Sequence, residues 1–332
     1  MGFGKIQSEG FCKINTSLII TNASFSTLFC VLSYNISYVL VTRNRLPFLK
    51  ITLEKLIDGL LADEEIIVID GNSNDGTAAY LEQLYNHKKI QQYVSGPDQN
   101  QAHGWNKGFL LAKGKIIKKI MDDDVFCYSS IRKCKDWMLN HPAVDICISN
   151  TLQTELLNSN QISKAGRLKH YLEWQMQKTT CFTFSDVYML IRKDALSLTG
   201  LYDVQFRMMD WEFALRCSFL GAKIAYYDGY NSLAVQTPDN VSSLSTQKKL
   251  KQEAQIAKIK YGYPGDRSEI SLWSKIKIFI GLKLNMLWKN ASFTDLKSVN
   301  CLPDEDELKQ VYNKLYQTLE QENQDGDFKF IC

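Results

Sequence analysis

Positions 122–124 are three consecutive aspartates, set in the run IMDDDVF. Carboxylates packed this closely repel one another unless a cation or a helix end offsets their charge. Mg2+ or Mn2+ takes one or two protein carboxylates and completes its shell with phosphate oxygens and water. An incomplete cage of this kind implies a diphosphate as the missing half. The competing expectation is a helix-cap cluster just before Tyr128, where carboxylates favour the positive end of the dipole. Other carboxylates end neighbouring segments: Asp70 in VIDGNSNDGT and Asp98 in SGPDQNQ. Asp70 can accept hydrogen bonds from a base or a ribose, or it can satisfy its own Asx turn. Lys107 can counter a phosphate or lie on a solvated face. None of the four histidines, His87, His103, His141 and His170, has ligand spacing with another. Trp105, Trp174 and Trp211 can stack on a sugar ring, although core packing is the commoner use of such residues.

These groups need a frame, and the apolar pattern supplies one. ISYVLVT (36–42), EIIVID (65–70), IQQYV (90–94) and KIIKKIM (115–121) read as strands. Helical patterns lie between them: one opened by Pro47, one capped by Thr77 and one from Ala102 to Lys113. The strand ends at 42, 70, 94 and 121 are separated by 24 to 28 residues, the length of one helical crossover between parallel strands. Ligands of open parallel sheets bind outside the carboxyl ends of the strands. The expected ligand rim therefore carries Thr42, Asn44, Asp70, Asp98 and Asp122–Asp124. Adjacent Lys118 and Lys119 fit a central strand poorly, and imply an edge position or an anion nearby. Further on, the pattern gives a helix at 129–140, a strand at 144–149 and a less regular insert at 150–180. It then gives a strand at 186–191, a helix at 210–221 ended by Gly221, and a strand at 223–228.

The ordered set SYVLVTRNRLPFLKITLEKL, EIIVIDGNSNDGT, SGPDQNQAHGWNKGFLLAKGK, IMDDDVF and MMDWEFALR resembles the family 2 glycosyltransferases of the GT-A fold. Five segments in order are far more specific than any one of them. The resemblance covers roughly residues 36–240 and implies a mostly parallel twisted sheet flanked by helices, with a Rossmann-like nucleotide-binding half. It implies that Thr42 and Asn44 line the donor nucleotide pocket, that Asp70 bonds the base, and that Asp98 and Lys107 lie near the nucleotide. Asp122–Asp124 take the part of the DxD element. Asp123 or Asp124 is the implied metal ligand, and Asp122 or Asp123 contacts the ribose. Asp210 matches the general base of inverting members. The implied cofactor is Mn2+ or Mg2+ and the implied donor a nucleotide-sugar, with a UDP-sugar expected. The implied acceptor is a glycan or a lipid-linked saccharide. Two departures stand out: Met209 precedes Asp210 where the family often has Glu, and Thr237 stands where the family often has a metal- or phosphate-contacting His.

Composition sets the outer bounds. Of 332 residues, 45% are apolar and 11% aromatic, enough for a normal core, and the net charge of +3 gives no reason to expect nucleic acid. Nine irregularly spaced cysteines without a CxxC pair favour reduced thiols in a reducing compartment. The uncharged stretch 14–42 is too rich in Asn, Ser and Thr for a spanning helix, so the expected location is cytoplasmic. The expected division is an N-terminal β-rich extension at 1–35, a catalytic domain at 36–240 and a helical region at 241–332. Within the catalytic domain, 36–127 would form the donor half and 128–240 the acceptor half. SLWSKIKIFIGLKLNMLWKN (271–290) reads either as a basic amphipathic helix on an anionic membrane face or as a helix docked on the domain. Residues 303–326 read as a polar surface helix. Two other classes compete: a sugar nucleotidyltransferase, which wants a Gly-rich loop that VTRNRLP lacks, and a non-catalytic carbohydrate-binding scaffold on a degenerate frame.

Overall fold

The computed structural model describes residues 33–237, 247–263, 303–324 and 326–332. The extension at 1–32, the segment 271–290 and the turn after Thr237 lie outside the described residues. Among those described, no helix is long and apolar enough to cross a membrane.

The chain alternates strand and helix: β1 (Ile36–Thr42), α1 (Leu46–Asp58), β2 (Glu64–Asp70), α2 (Thr77–Asn86), β3 (Gln92–Ser95), α3 (Gln101–Leu111) and β4 (Ile116–Ile120). The short β5 (Val125–Phe126) and α4 (Tyr128–Asn140) follow, then β6 (Ile146–Glu155), β7 (Ser163–Ala165), α5 (Leu168–Gln175), β8 (Met189–Arg192), α6 (Leu196–Thr199) and α7 (Met209–Phe219). The long β9 (Ile224–Gln236), α8 (Gln247–Tyr261), α9 (Glu305–Gln324) and β10 (Phe330–Ile331) complete the order. The sheet runs β10-β9-β6-β8-β4-β1-β2-β3, with β5 on β9 and β7 on β6. Its β3-β2-β1-β4 half is wholly parallel. The other half is mixed, because β8 runs antiparallel to both β4 and β6.

Strands β1, β2 and β4 are buried along their whole length, as expected of parallel strands covered by helices on both faces. On one face α3 and α7 pack Trp105, Phe109 and Phe213 against Val39, Ile69 and Ile117. On the other, α1 and α4 pack Leu49, Leu53 and Met138 against Leu40, Val68 and Ile120. Gly104 lets α3 approach β1 closely, since a Cβ there would stand 2.8 Å from both Val41 Cγ1 and Asp98 Oδ2.

Several elements depart from the sequence expectation. Thr77 does not cap α2. It occupies the first helical position, and Asp75 accepts hydrogen bonds from its N–H at 3.2 Å and its hydroxyl at 2.6 Å. The other oxygen of Asp75 accepts from Leu46 N at 2.9 Å, so one carboxylate serves the starts of two helices. Residues 186–188 form a 3-10 turn, because Asp186 swings inward to Lys119 and Tyr202. Strand β6 continues to Glu155, past the end expected at 149. A shift in its pairing with β9 at Ser149–Thr151 accommodates Asn150, whose amide donates to Asp228 O at 2.6 Å. Strand β4 lies inside the sheet, which overturns the edge placement considered for Lys118 and Lys119. The anion alternative holds for Lys119, whose Nζ lies 2.7 Å from Asp186. Lys118 donates to Val187 O with its ammonium 5.0 Å from the Phe126 ring, and burial pushes its pKa down to about 7.

Helix α9 is no surface ornament. Leu308, Tyr312, Leu315, Tyr316 and Leu319 repeat at helical spacing and pack on Phe48, Ile51, Val125 and Leu233. Each such side chain contributes roughly 1.5–3 kcal/mol when fully buried. The polar composition of 303–326 describes only its outer face.

Candidate active site

The carboxyl ends of β1, β2 and β3 lie side by side, with Thr42 opposite Asp70 and Asp70 opposite Ser95. Asp70 is fully buried. Its Oδ1 accepts from Ser73 N at 3.0 Å and from the Ser73 hydroxyl, and its Oδ2 accepts from Ser95 Oγ at 2.6 Å. The Asx-turn role is therefore realised, and only Oδ2 keeps a further lone pair. Asn44, exposed and at φ 54°, accepts from Asn74 N at 2.9 Å and ties the loop after β1 to the loop after β2. Asp98 and Lys107 form an ion pair at 2.6 Å, with His103 Nδ1 3.6 Å from the same carboxylate oxygen. Lys107 also donates to Pro97 O at 3.2 Å.

The acidic triplet turns between β4 and β5, and all three aspartates are buried. Their side chains divide the work. Asp122 accepts from Thr42 Oγ1 at 2.7 Å and meets Arg45 Nε at 3.2 Å. Asp123 Oδ2 meets Arg45 Nη2 at 2.7 Å and accepts from Thr237 Oγ1 at 3.2 Å. Asp124 Oδ1 accepts from Val235 N at 2.8 Å, across to β9. Burial drives Asp122 up to about 6, with Arg45 pulling the other way. Burial first, and Asp123 second, push Asp124 well above the usual carboxylate range. From behind, the hydroxyl of Tyr312 on α9 donates to the Asp123 carbonyl at 2.5 Å.

Asp123 and Asp124 reach a cavity of ≈ 1080 Å³, whose wall also includes Lys119, Asp186 and Asp210. The rest of that wall is rich in amides and hydroxyls, among them Gln153, Thr154, Asn158 and Gln161. Asp210 sits in the first turn of α7. Burial raises its pKa to about 6, Asp186 adds to the rise and Lys119 opposes it. The loop entering α7 is fixed by Glu253 of α8, which accepts from Arg207 N at 2.8 Å and Met208 N at 3.1 Å.

Thus Asp123, Asp124 and Asp210 share one cavity, and Asp122 and Thr42 are coupled to it from the β1 side. Asn44, Asp70, Asp98 and Lys107 do not reach that cavity wall; they form the neighbouring rim at the ends of β1 to β3. Thr237, noted as standing where a His is common, does lie against the triplet. Arg45 was legible in VTRNRLP but not singled out, because a lone loop arginine carries no periodic signal. Asp186, Glu253 and Tyr312 had no sequence signal beyond the unexplained lysine pair.

Among the described residues, no three or more His, Cys, Asp or Glu side chains form a group that could hold a metal by themselves. The donor set still fits a hard cation: Asp123 and Asp124 both face the cavity, and the contacts described above use only Oδ2 of Asp123 and Oδ1 of Asp124. Two carboxylates, with substrate oxygens and water completing the shell, are what Mg2+ or Mn2+ commonly takes.

A parallel nucleotide-binding half, an acidic turn at the end of its fourth strand and a carboxylate at the start of a later helix are arranged as in the GT-A fold. Residues 37–199, just under half of the chain, match the model described as Glycosyl transferase family 2, the mark of a glycosyltransferase. Among solved structures the chain is similar to the mannosyltransferase PcManGT from Pyrobaculum calidifontis, in complex with GDP-Man and Mn2+. That pair is 13% identical over 87% of this chain and 84% of the other, with a TM-score of 0.52. It is also similar to residues 1–349 of S. aureus TarS in complex with UDP-GlcNAc, at 12% identity over 86% and 72% of the two chains and a TM-score of 0.47. TarS 1–349 in complex with UDP gives 14%, 88% and 92%, and a TM-score of 0.48. No curated protein matches the chain by sequence.

Proposed function

We propose that the chain is an inverting, divalent-metal-dependent glycosyltransferase that moves a sugar from a nucleoside-diphosphate sugar, with UDP-sugars first in line, to a glycan or lipid-linked saccharide. The observation that carries this reading is the shared cavity, with Asp123 and Asp124 in the same wall as Asp210. In this reading residues 36–127 supply the donor rim, 128–240 supply the acceptor side, and the protein works on the cytoplasmic side.

The donor nucleoside lies along the ends of β1 to β3, within reach of Thr42, Asn44, Asp70, Asp98 and Lys107. Asp122 or Asp123 meets the ribose, and the diphosphate points toward the acidic turn. A divalent cation on Asp123 and Asp124 supplies positive charge to the leaving diphosphate when bound. Asp210 holds the reacting proton. A carboxylate with a pKa near 6 is ionised at neutral pH yet basic enough to accept a proton as the acceptor oxygen attacks. That oxygen bonds to the anomeric carbon from the face opposite the diphosphate, the carbon–phosphate oxygen bond breaks, and configuration inverts. The amide-rich wall at Gln153, Asn158 and Gln161 offers paired donors and acceptors suited to sugar hydroxyls.

The test is a screen of UDP- and GDP-sugars for Mn2+- or Mg2+-dependent hydrolysis without acceptor. GDP-sugars are included because the similar mannosyltransferase was solved with GDP-Man and Mn2+. Metal-dependent turnover of one donor supports the reading. Metal-independent binding of a sugar alone would favour a carbohydrate-binding scaffold, and preference for a nucleoside triphosphate would favour a nucleotidyltransferase.

A further inference from the structure

Lys119 is a charged residue on an interior strand, 3% exposed, on the cavity wall that holds Asp210. Its surroundings are built rather than incidental. Its Nζ lies 2.7 Å from Asp186 Oδ2 and 4.3 Å from the Trp105 ring centroid. The Tyr202 hydroxyl donates to the same Asp186 oxygen at 2.7 Å, and the Tyr202 ring centroid lies 5.6 Å from the ammonium. Ion, carboxylate, phenol and indole thus clamp one another in the core. An interior ion pair of this kind is a poor source of stability, because desolvation offsets most of the attraction. What it does supply is a fixed positive charge on the floor of the cavity.

We propose that Lys119 is a positioning residue that acts through Asp186 on Asp210: it supplies the counter-charge that lets two carboxylates share one wall and leaves Asp210 free to accept a proton. Without that ammonium, Asp186 and Asp210 are like charges in a low-dielectric wall and compete for one proton. Without Asp186, the ammonium acts on Asp210 undiluted. The two residues therefore push Asp210 in opposite directions, the Asp186 carboxylate upward and the Lys119 ammonium downward. Other groups facing Asp210 stay constant in this comparison. Tyr188 and Tyr202 are neutral phenols held up by burial. Arg207 precedes α7, and Glu253 of α8 engages its backbone. Asp123, Asp124 and Glu155 line the same cavity.

The consequence for catalysis rests on Asp210 being the base; the electrostatic claim does not, so two readouts are used. The first is the titration of Asp210 followed by 13C NMR of Asp-labelled protein, assigned with Asp210→Asn. Lys119→Met, a near-isosteric change, is expected to raise the Asp210 midpoint by about one pH unit, and Asp186→Asn to lower it by a similar amount. The second is the acid limb of kcat/KM for donor turnover, which should move up in Lys119→Met and down in Asp186→Asn. A purely structural pair would lower activity in both variants without moving the midpoints apart. Midpoints that stay put, or move in the same direction, overturn the proposal. If Lys119→Met does not fold, Asp186→Asn decides alone, and an unchanged midpoint overturns it. If NMR midpoints separate while no nucleotide-sugar is turned over, Lys119 stands and the glycosyltransferase reading falls.

Discussion

Two clusters of carboxylates border the cavity, one beside Arg45 and one beside Lys119, and they differ in how the cation is held. At the acidic turn, Arg45 sits in the loop after β1 with its side chain 18% exposed, and it reaches Asp122, Asp123 and Thr237. Beside Asp210, Lys119 rises from the middle of an interior strand, with its side chain 3% exposed. Arg45 is a loop side chain whose guanidinium carbon also lies 4.8 Å from the Phe48 ring centroid, while Lys119 is a strand residue packed on Trp105. In the proposed function Arg45 would be the replaceable counter-charge, giving way where a cation and a diphosphate enter. Lys119 is a permanent one, suited to a carboxylate whose proton affinity must stay constant. In the proposed function, the same elementary problem, like charges in a dry wall, would have a mobile solution where the ligand arrives and a fixed one where the proton moves.

The largest effect should come from the fixed side. Asp210→Asn removes the proposed proton acceptor and keeps the shape, so transfer should fall by roughly 10²–10⁴-fold. Donor affinity in that variant should stay within about threefold of the parent by calorimetry, since uniform binding is untouched. Loss of donor binding would move Asp210 to the donor side and dissolve the contrast. Next, Asp123→Ala with Asp124→Ala should abolish metal-dependent UDP binding, at least tenfold in Kd on the scale of lost metal contacts. Normal UDP–Mn2+ binding would leave the triplet as a structural knot on Arg45, Thr42 and Val235, since none of its side chains caps α4.

The mobile side is sharpened by Arg45→Met. If Arg45 only stands in for the ligand's charge, its removal should tighten Mn2+ binding about three- to tenfold in the absence of nucleotide. If Arg45 instead forms a permanent strut, Mn2+ affinity should be unchanged or weaker. A smaller effect concerns pH. Asp210 has a folded pKa near 6, above its ordinary value of 3.8. Its contribution to stability is therefore complete below about pH 4 and is lost as pH rises through 6. Asp210→Asn lacks that loss, so its Tm advantage over the parent should grow by a few degrees between pH 4 and 7 without metal. A constant difference would mean that Asp210 is solvated in the folded protein.

Much of the donor half was legible because its signals are local. Fully buried parallel strands read as apolar runs, and each ends on a polar residue that marks the rim. Asp122–Asp124 were found by position along that pattern, and Asp210 through the resemblance of MMDWEFALR to the family. What was not legible depends on pairs distant in sequence. Arg45 and Asp123 are 78 residues apart, and Lys119 and Asp186 are 67 apart. Neither pairing leaves a periodic trace. The adjacent lysines on β4 were the one visible symptom, since a buried cation demands a partner. Nothing in that symptom says the partner is Asp186. Helix α9 misled for a different reason. Its interior face is a single stripe of Leu308, Tyr312, Leu315, Tyr316 and Leu319 among charged and amide residues, so mean polarity hid it.

That helix supplies the smallest and most specific prediction. Tyr312 touches the acidic turn through the main chain, donating to the Asp123 carbonyl, and its ring lies against Phe48 with centroids 6.1 Å apart. Tyr312→Phe keeps the ring and removes the hydroxyl, leaving one buried carbonyl without that donor, at a cost of about 1 kcal/mol. The turn carrying Asp123 should then loosen, while Asp210, held by α7 and Glu253, should not. Kd for Mn2+–UDP should rise two- to fivefold, as expected for about 1 kcal/mol or less. The acid limb of kcat/KM should keep its midpoint. An equal change in both readouts would mean that the two walls of the cavity are mechanically coupled through β5 and β9, and that the mobile and fixed clusters work as one unit.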